Sequence, residues 1–124
     1  MAAGLVEAES WLAMPTADDN VLFSVDQASL VRDGDTVRFF ERLVYVEARQ
    51  KDPASGSLIK EKRMGRVMNC VNKTHGHDFG SLIGVDGRHI ETVHIGAAEM
   101  RMTAVPAGTL AERELAWACA TGEK

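Results

Sequence analysis

The chain has 124 residues, 45% apolar and 26% charged, with a net charge of -4, which bounds it to one domain at 1–124 with its core at about 10–120. No stretch nears the roughly 20 apolar residues of a membrane-spanning helix. The opening Met-Ala-Ala-Gly-Leu is neither a basic leader nor an apolar signal core, so an export signal would have to lie outside this chain.

A first strand is expected at 10–14, stopped by Pro15 and the polar run 16–20. Val21, Phe23 and Val25 share one face, the pattern of a half-buried strand at 21–26. Residues 27–30 make a turn or a single helical turn, and Asp33-Gly34 then closes a hairpin. The long strand at 36–47 breaks alternation at Phe39-Phe40, which calls for a bulge or for two covered faces. A loop at 51–57, with Pro53 and Gly56, leads to a return strand at 58–71 on which Met64, Met68 and Cys70 share one face. Residues 72–78 read as a polar turn. Asp86-Gly87 joins strands at 79–85 and 88–95, and the alternation of Met100, Met102 and Ala104 predicts another strand at 99–105. After Pro106, Thr109 and Glu112 form a capping box, so a helix starts there with Leu110, Ala111, Leu115, Ala118 and Cys119 on its apolar side. Trp117 sits at the margin of that side, placed either to cover a seam between helix and sheet, the favoured reading, or to face a partner chain. The fold class is therefore α+β, an antiparallel sheet of about six strands with a C-terminal helix packed on it.

Charge is unevenly spread. Between Arg49 and Lys73 lie seven basic and two acidic residues, a local +5, which leaves -9 on the remainder. Lys60, Lys62, Arg63 and Arg66 on one hairpin are the candidate contacts for a protein or another anionic macromolecule. The same residues would serve a solvated hairpin whose edge must resist pairing. Nucleic acid is a poor fit, because the whole chain is acidic and offers few exposed-looking aromatics.

Chemistry has little foothold. His75-Gly76-His77-Asp78 is the nearest approach to a metal or catalytic cluster, but two histidines on a turn fall short of the three or four ligands of a closed site. His89 and His94 are five apart and fall on opposite faces of a regular strand. There is no G-x-S-x-G elbow, no thiol-protease signature around either cysteine, and no helix after Gly76, Gly80, Gly84 or Gly87 to make a phosphate loop. We expect no catalytic residues, no metal and no cofactor. Cys70 and Cys119 are either two free thiols of a cytosolic protein or a bridge; a bridge would be worth roughly 4 kcal/mol and would place the chain in an oxidising compartment.

The order of marks resembles the bacterial surface-adhesin protein E family. Trp11 is followed by Phe23-Ser24-Val25-Asp26-Gln27-Ala28-Ser29-Leu30, a charged turn, and an aromatic strand from Val37. Asn69-Cys70 follows, and Pro106-Ala107-Gly108-Thr109 leads to a helix with Cys119. The resemblance spans about 11–120. It departs near Met100 and Met102, where a tryptophan is usual, and fills an aromatic slot with Phe39 or Phe40. It implies a Cys70–Cys119 disulfide, export to the bacterial cell envelope (periplasm or outer-membrane surface), membrane association only through a lipid anchor, and a capacity to dimerise. It also implies a non-enzymatic role in binding macromolecules such as host matrix or serum proteins. The alternative is a small periplasmic metal-binding or enzymatic domain using the turn from His75 to Asp78.

Overall fold

A computed structural model describes residues 9–121. Its strands are β1 (Trp11–Met14), β2 (Val21–Asp26), β3 (Val31–Asp33), β4 (Thr36–Tyr45), β5 (Ile59–Asn69), β6 (Thr74–Gly84), β7 (His89–His94) and β8 (Thr103–Ala104), followed by helix α1 (Leu110–Thr121). All pairings are antiparallel, in the order β1-β2-β4-β5-β6-β7, with β3 on β4 and β8 on β6. The sheet thus has eight strands rather than about six: six form the continuous path, and two short ones attach beside it.

One face of the sheet carries the core. Phe23, Val25, Val37, Phe39 and Met68 are buried there against Leu115 and Ala118 of α1. Burying a side chain of this size contributes about 1.5–3 kcal/mol. Trp117 meets Phe39 edge-on at 5.0 Å between ring centres, so it lies on the seam between helix and sheet. The adjacent Phe39 and Phe40 lie on opposite faces of β4, Phe39 buried in the core and Phe40 half-buried on the back, edge-on to Phe79 at 5.8 Å. Helix α1 starts as its sequence requires. The Thr109 hydroxyl accepts from the Glu112 amide at 3.3 Å, while the Glu112 carboxylate reaches one residue further back than expected, to the Gly108 amide at 2.8 Å. Near its other end, Cys119 is joined to Cys70 with Cα atoms 5.8 Å apart.

Two expected elements differ. The polar turn ends at Lys73, whose φ of 57° reverses the chain, so residues 74–78 already belong to β6. Of the strand expected at 99–105, only Thr103–Ala104 pairs. The preceding residues turn back at Gly96, whose carbonyl accepts from the Glu99 and Met100 amides, and the chain then crosses β6 over Gly76. A Cβ at Gly76 would stand 2.7 Å from the Arg101 carbonyl oxygen and 3.1 Å from Met102 Sδ, so the alternating methionines pack across the sheet instead of extending it. Gly76→Ala is accordingly expected to lower unfolding stability by about 1–3 kcal/mol through overpacking, measurable by urea denaturation.

Three register shifts shape both faces. Lys60 is the extra residue of β5 between the Ile59–Gly84 and Glu61–Ile83 pairs, and Asp78 is the extra residue of β6 between Phe79 and His77. Ile90 is the extra residue of β7. That last bulge overturns the expected separation of His89 and His94. Both now face the back: His89 reaches the Ser81 hydroxyl at 3.0 Å, and His94 stacks edge-on to Phe79 at 5.2 Å.

Candidate functional site

The four candidate cations do not form one patch. In the ladder with β4, Lys62 faces Leu43 and Arg66 faces Phe39, which puts both on the helix-bearing face; Arg63 pairs with Arg42 on the back. Lys60 donates to the Val46 carbonyl at 3.0 Å from its bulge. Arg63 binds Glu61 at 2.5 Å and Glu9 at 3.4 Å, with its guanidinium carbon 5.8 Å from the Trp11 ring centre. Lys62 has no ion-pair partner among the described residues; its ammonium lies 5.8 Å from the Tyr45 ring centre.

Arg66 is interior. Its side chain is 11% exposed and donates to Glu41 at 2.7 Å and Glu114 at 3.5 Å, two carboxylates with no exposure at all. Glu41 also meets His77 Nε2 at 3.0 Å, while His75 Nδ1 approaches the Arg66 guanidinium. Burial by itself would raise the Glu41 carboxyl, but hydrogen bonds with His77 and Glu114 and the Arg66 charge hold it at about 2. Burial pushes Glu114 the other way, with the neighbouring Glu41 adding to it, to about 10. Near neutral pH the cluster is therefore one guanidinium, one carboxylate and one neutral carboxylic acid, so a single buried cation has a single counter-charge. Burial and the Arg66 charge also depress His75, which keeps its Nδ1 lone pair facing Arg66.

His75, His77 and Asp78 do not converge. The two histidines serve the Glu41–Arg66 cluster on the helix-bearing face. The bulged Asp78 turns to the back, where it accepts from Arg38 at 2.6 Å and 3.0 Å over Gly65. Among the described residues, no group of three or more His, Cys, Asp or Glu side chains is placed to hold a metal ion.

What remains accessible is the surface that α1 does not cover. On its own face, two adjoining cavities of about 300 and 290 Å³ share Met64. The first runs from Leu110 past Val21, Phe23 and Leu43 to the Glu41–Arg66 cluster. The second is floored by Met64, Gly80, Leu82 and Val93 and rimmed by Lys62 and Glu91. A Cβ at Gly80 would meet nothing within 4 Å, so this strand centre is open space. On the back face, Trp11, Phe40, Phe79 and Ile83 surround a cavity of about 370 Å³ with Arg63, Ser81 and His89. The Arg42 guanidinium lies over Trp11 at 4.2 Å, and its buried Nε has no hydrogen-bond partner. Sequence reasoning found the cations but missed these apolar floors; the only signals were Gly80 inside a strand and Trp11 in a short first one.

No protein-family model matches the chain, and no curated protein matches its sequence. Solved structures do match. Crystal form II of Haemophilus influenzae protein E superposes with a TM-score of 0.61 at 15% identity, covering 93% of this chain and 99% of that one. Protein E from non-typeable Haemophilus influenzae gives 0.58 at 16% identity, covering 93% and 86%. The chain thus has the protein E fold over nearly its whole length.

Proposed function

Starting from the fold shared with Haemophilus influenzae protein E, we propose that this chain is a non-enzymatic binding domain of the bacterial cell envelope. Its partner is a protein or another anionic macromolecule, with host matrix and serum proteins the first class to examine. One observation carries this reading: a single helix covers only part of one sheet face and leaves Trp11, Phe40, Phe79, Arg42 and Arg63 on the back without a covering layer. Trp and Arg are the residue types that dominate binding hot spots, and aromatic surface of this kind is enriched at interfaces. Support also comes from Lys60 and Lys62, which have no carboxylate partner among the described residues. Among the described residues, the outer edges of β1 and β7 have no neighbouring strand in the sheet, an arrangement that takes a strand from another chain, a second copy included.

Reversing Lys60, Lys62 and Arg63 together to glutamate is expected to weaken capture of matrix proteins and sulfated glycans at least tenfold, with a steep salt dependence in the wild type. Arg66 is left in place because it is interior. Surface plasmon resonance against a panel of both classes checks this; equal binding by the reversed protein to every member would remove the reading. The export signal and any lipid anchor belong to the same proposal, and they are tested by where the full-length gene product fractionates.

A further inference from the structure

We infer that the uncovered half of the helix-bearing face docks an acidic amphipathic helix supplied by a partner protein. This rests on the binding role proposed above and narrows it to one site and one class of ligand.

The floor crosses four strands, from Leu43 on β4 through Met64 on β5 and Gly80 and Leu82 on β6 to Val93 on β7. At about 4.8 Å between strands this is about 14 Å, the length of roughly ten helical residues. The same face already takes a helix: α1 buries Leu115 and Ala118 on it, and Leu110 of its first turn borders the trough. A second helix laid beside it would extend that layer. Gly80 supplies the relief, since Met64 and Val93 on either side of it project while nothing fills the space above the glycine. Val93 is 46% exposed as it stands.

Charge selects the helix. Lys62 stands on the rim without an ion-pair partner among the described residues, and Lys60, two residues before it, donates to a backbone carbonyl. Arg66 at the inner end is neutralised by Glu41, so it adds no net pull. Glu91 is the acidic residue on the outer rim, and Asp18 borders the far end beside Leu110. The geometry therefore favours carboxylates near Lys60 and Lys62 and disfavours them near Glu91 and Asp18. A strand added to this protein would use an edge of the sheet, whereas an apolar trough on the face beside α1 suits the apolar stripe of a second helix.

The test uses a fluorescent amphipathic peptide with leucines at helical spacing and glutamates along its flanks, and a twin with lysines in place of glutamates. Anisotropy titration is expected to show binding of the glutamate peptide and about tenfold weaker binding of the lysine twin. Gly80→Phe fills the trough without meeting an existing atom at its Cβ. It is expected to abolish binding while leaving the melting temperature within a few degrees. Lys62→Glu should weaken binding about tenfold, and Glu91→Gln should strengthen it. The inference is overturned if the glutamate peptide does not bind, if the lysine twin binds as well, or if Gly80→Phe, folded by its melting transition, binds as the wild type does. A protein that captures matrix components through Lys60, Lys62 and Arg63 yet ignores the peptide keeps the general role and ends this one.

Discussion

Replacing Cys70 and Cys119 together by serine is expected to lower the unfolding free energy by about 4 kcal/mol, within a usual range of about 2–5 kcal/mol. The bridge closes 49 residues of chain, a loop that includes all of β6, β7 and β8. Without it, α1 is held by its apolar side (Leu110, Ala111, Leu115, Trp117 and Ala118), by the buried Glu114, and by hydrogen bonds from Arg113 to the Pro15 carbonyl and from Arg32 to the Cys119 carbonyl. A domain of this size has a total stability of about 5–15 kcal/mol, so the loss takes a large share. The measurement is a urea titration of both proteins followed by Trp fluorescence. Trp117 sits against Phe39, so its signal reports whether the helix leaves the sheet before the sheet itself unfolds. A loss below about 1 kcal/mol would mean that the helix contacts alone fix the element.

Arg66→Met is expected to cost about 3–5 kcal/mol, because it leaves the fully buried Glu41 charge without its cation. Replacing Arg66, Glu41 and Glu114 together by apolar residues of similar volume should recover most of that loss, since the three desolvation penalties vanish with the three groups. A triple variant as unstable as the single one would show that shape, not charge, governs the site. The same cluster sets a pH dependence. Glu114 takes up a proton on folding, because its folded value of about 10 lies above the unfolded value of 4.5. Its contribution is fully present below 4.5 and declines as pH rises towards 10, at up to about 1.4 kcal/mol per pH unit. Glu41 has the opposite sign: held at about 2, it contributes above 4.5 and the contribution is lost as pH falls through 2. His75, also depressed, loses stability in the acid direction with it. Glu114→Gln keeps the shape without the ionisation. Its stability should therefore match the wild type below pH 4.5 and exceed it by a growing margin as pH rises. Denaturant titrations across pH would show the alkaline decline shrink; a decline of unchanged slope would place the proton on another group.

Much of the architecture was legible because alternation and turn chemistry are local. Asp33-Gly34 and Asp86-Gly87 mark hairpins through glycines with φ of 63° and 80°. The apolar side of α1 pointed to Cys119, and the face shared by Met64 and Met68 pointed to Cys70, where the structure joins them. Burial of charge was not legible. Arg66 alternates with Lys62 and looks like any other hairpin cation, and only the arrival of Glu114 from a segment 48 residues later makes it interior. Bulges were equally hidden: one extra residue at Asp78 and one at Ile90 reassign side chains to faces, and no residue pattern announced either. The trough is a long-range product of the same kind. Leu43, Met64, Leu82 and Val93 lie on four different strands, and Gly80 becomes its floor only when those strands are in register.

Helix α1 is the last element in chain order, yet it supplies one wall of the core. Until α1 is made and docked, Val37, Phe39 and Met68 therefore lack the helix that covers them. During that interval the nascent sheet exposes apolar surface, the kind of species that aggregates or recruits a holdase. Shortened products that stop before residue 110 should accordingly enter inclusion bodies instead of forming a smaller soluble domain.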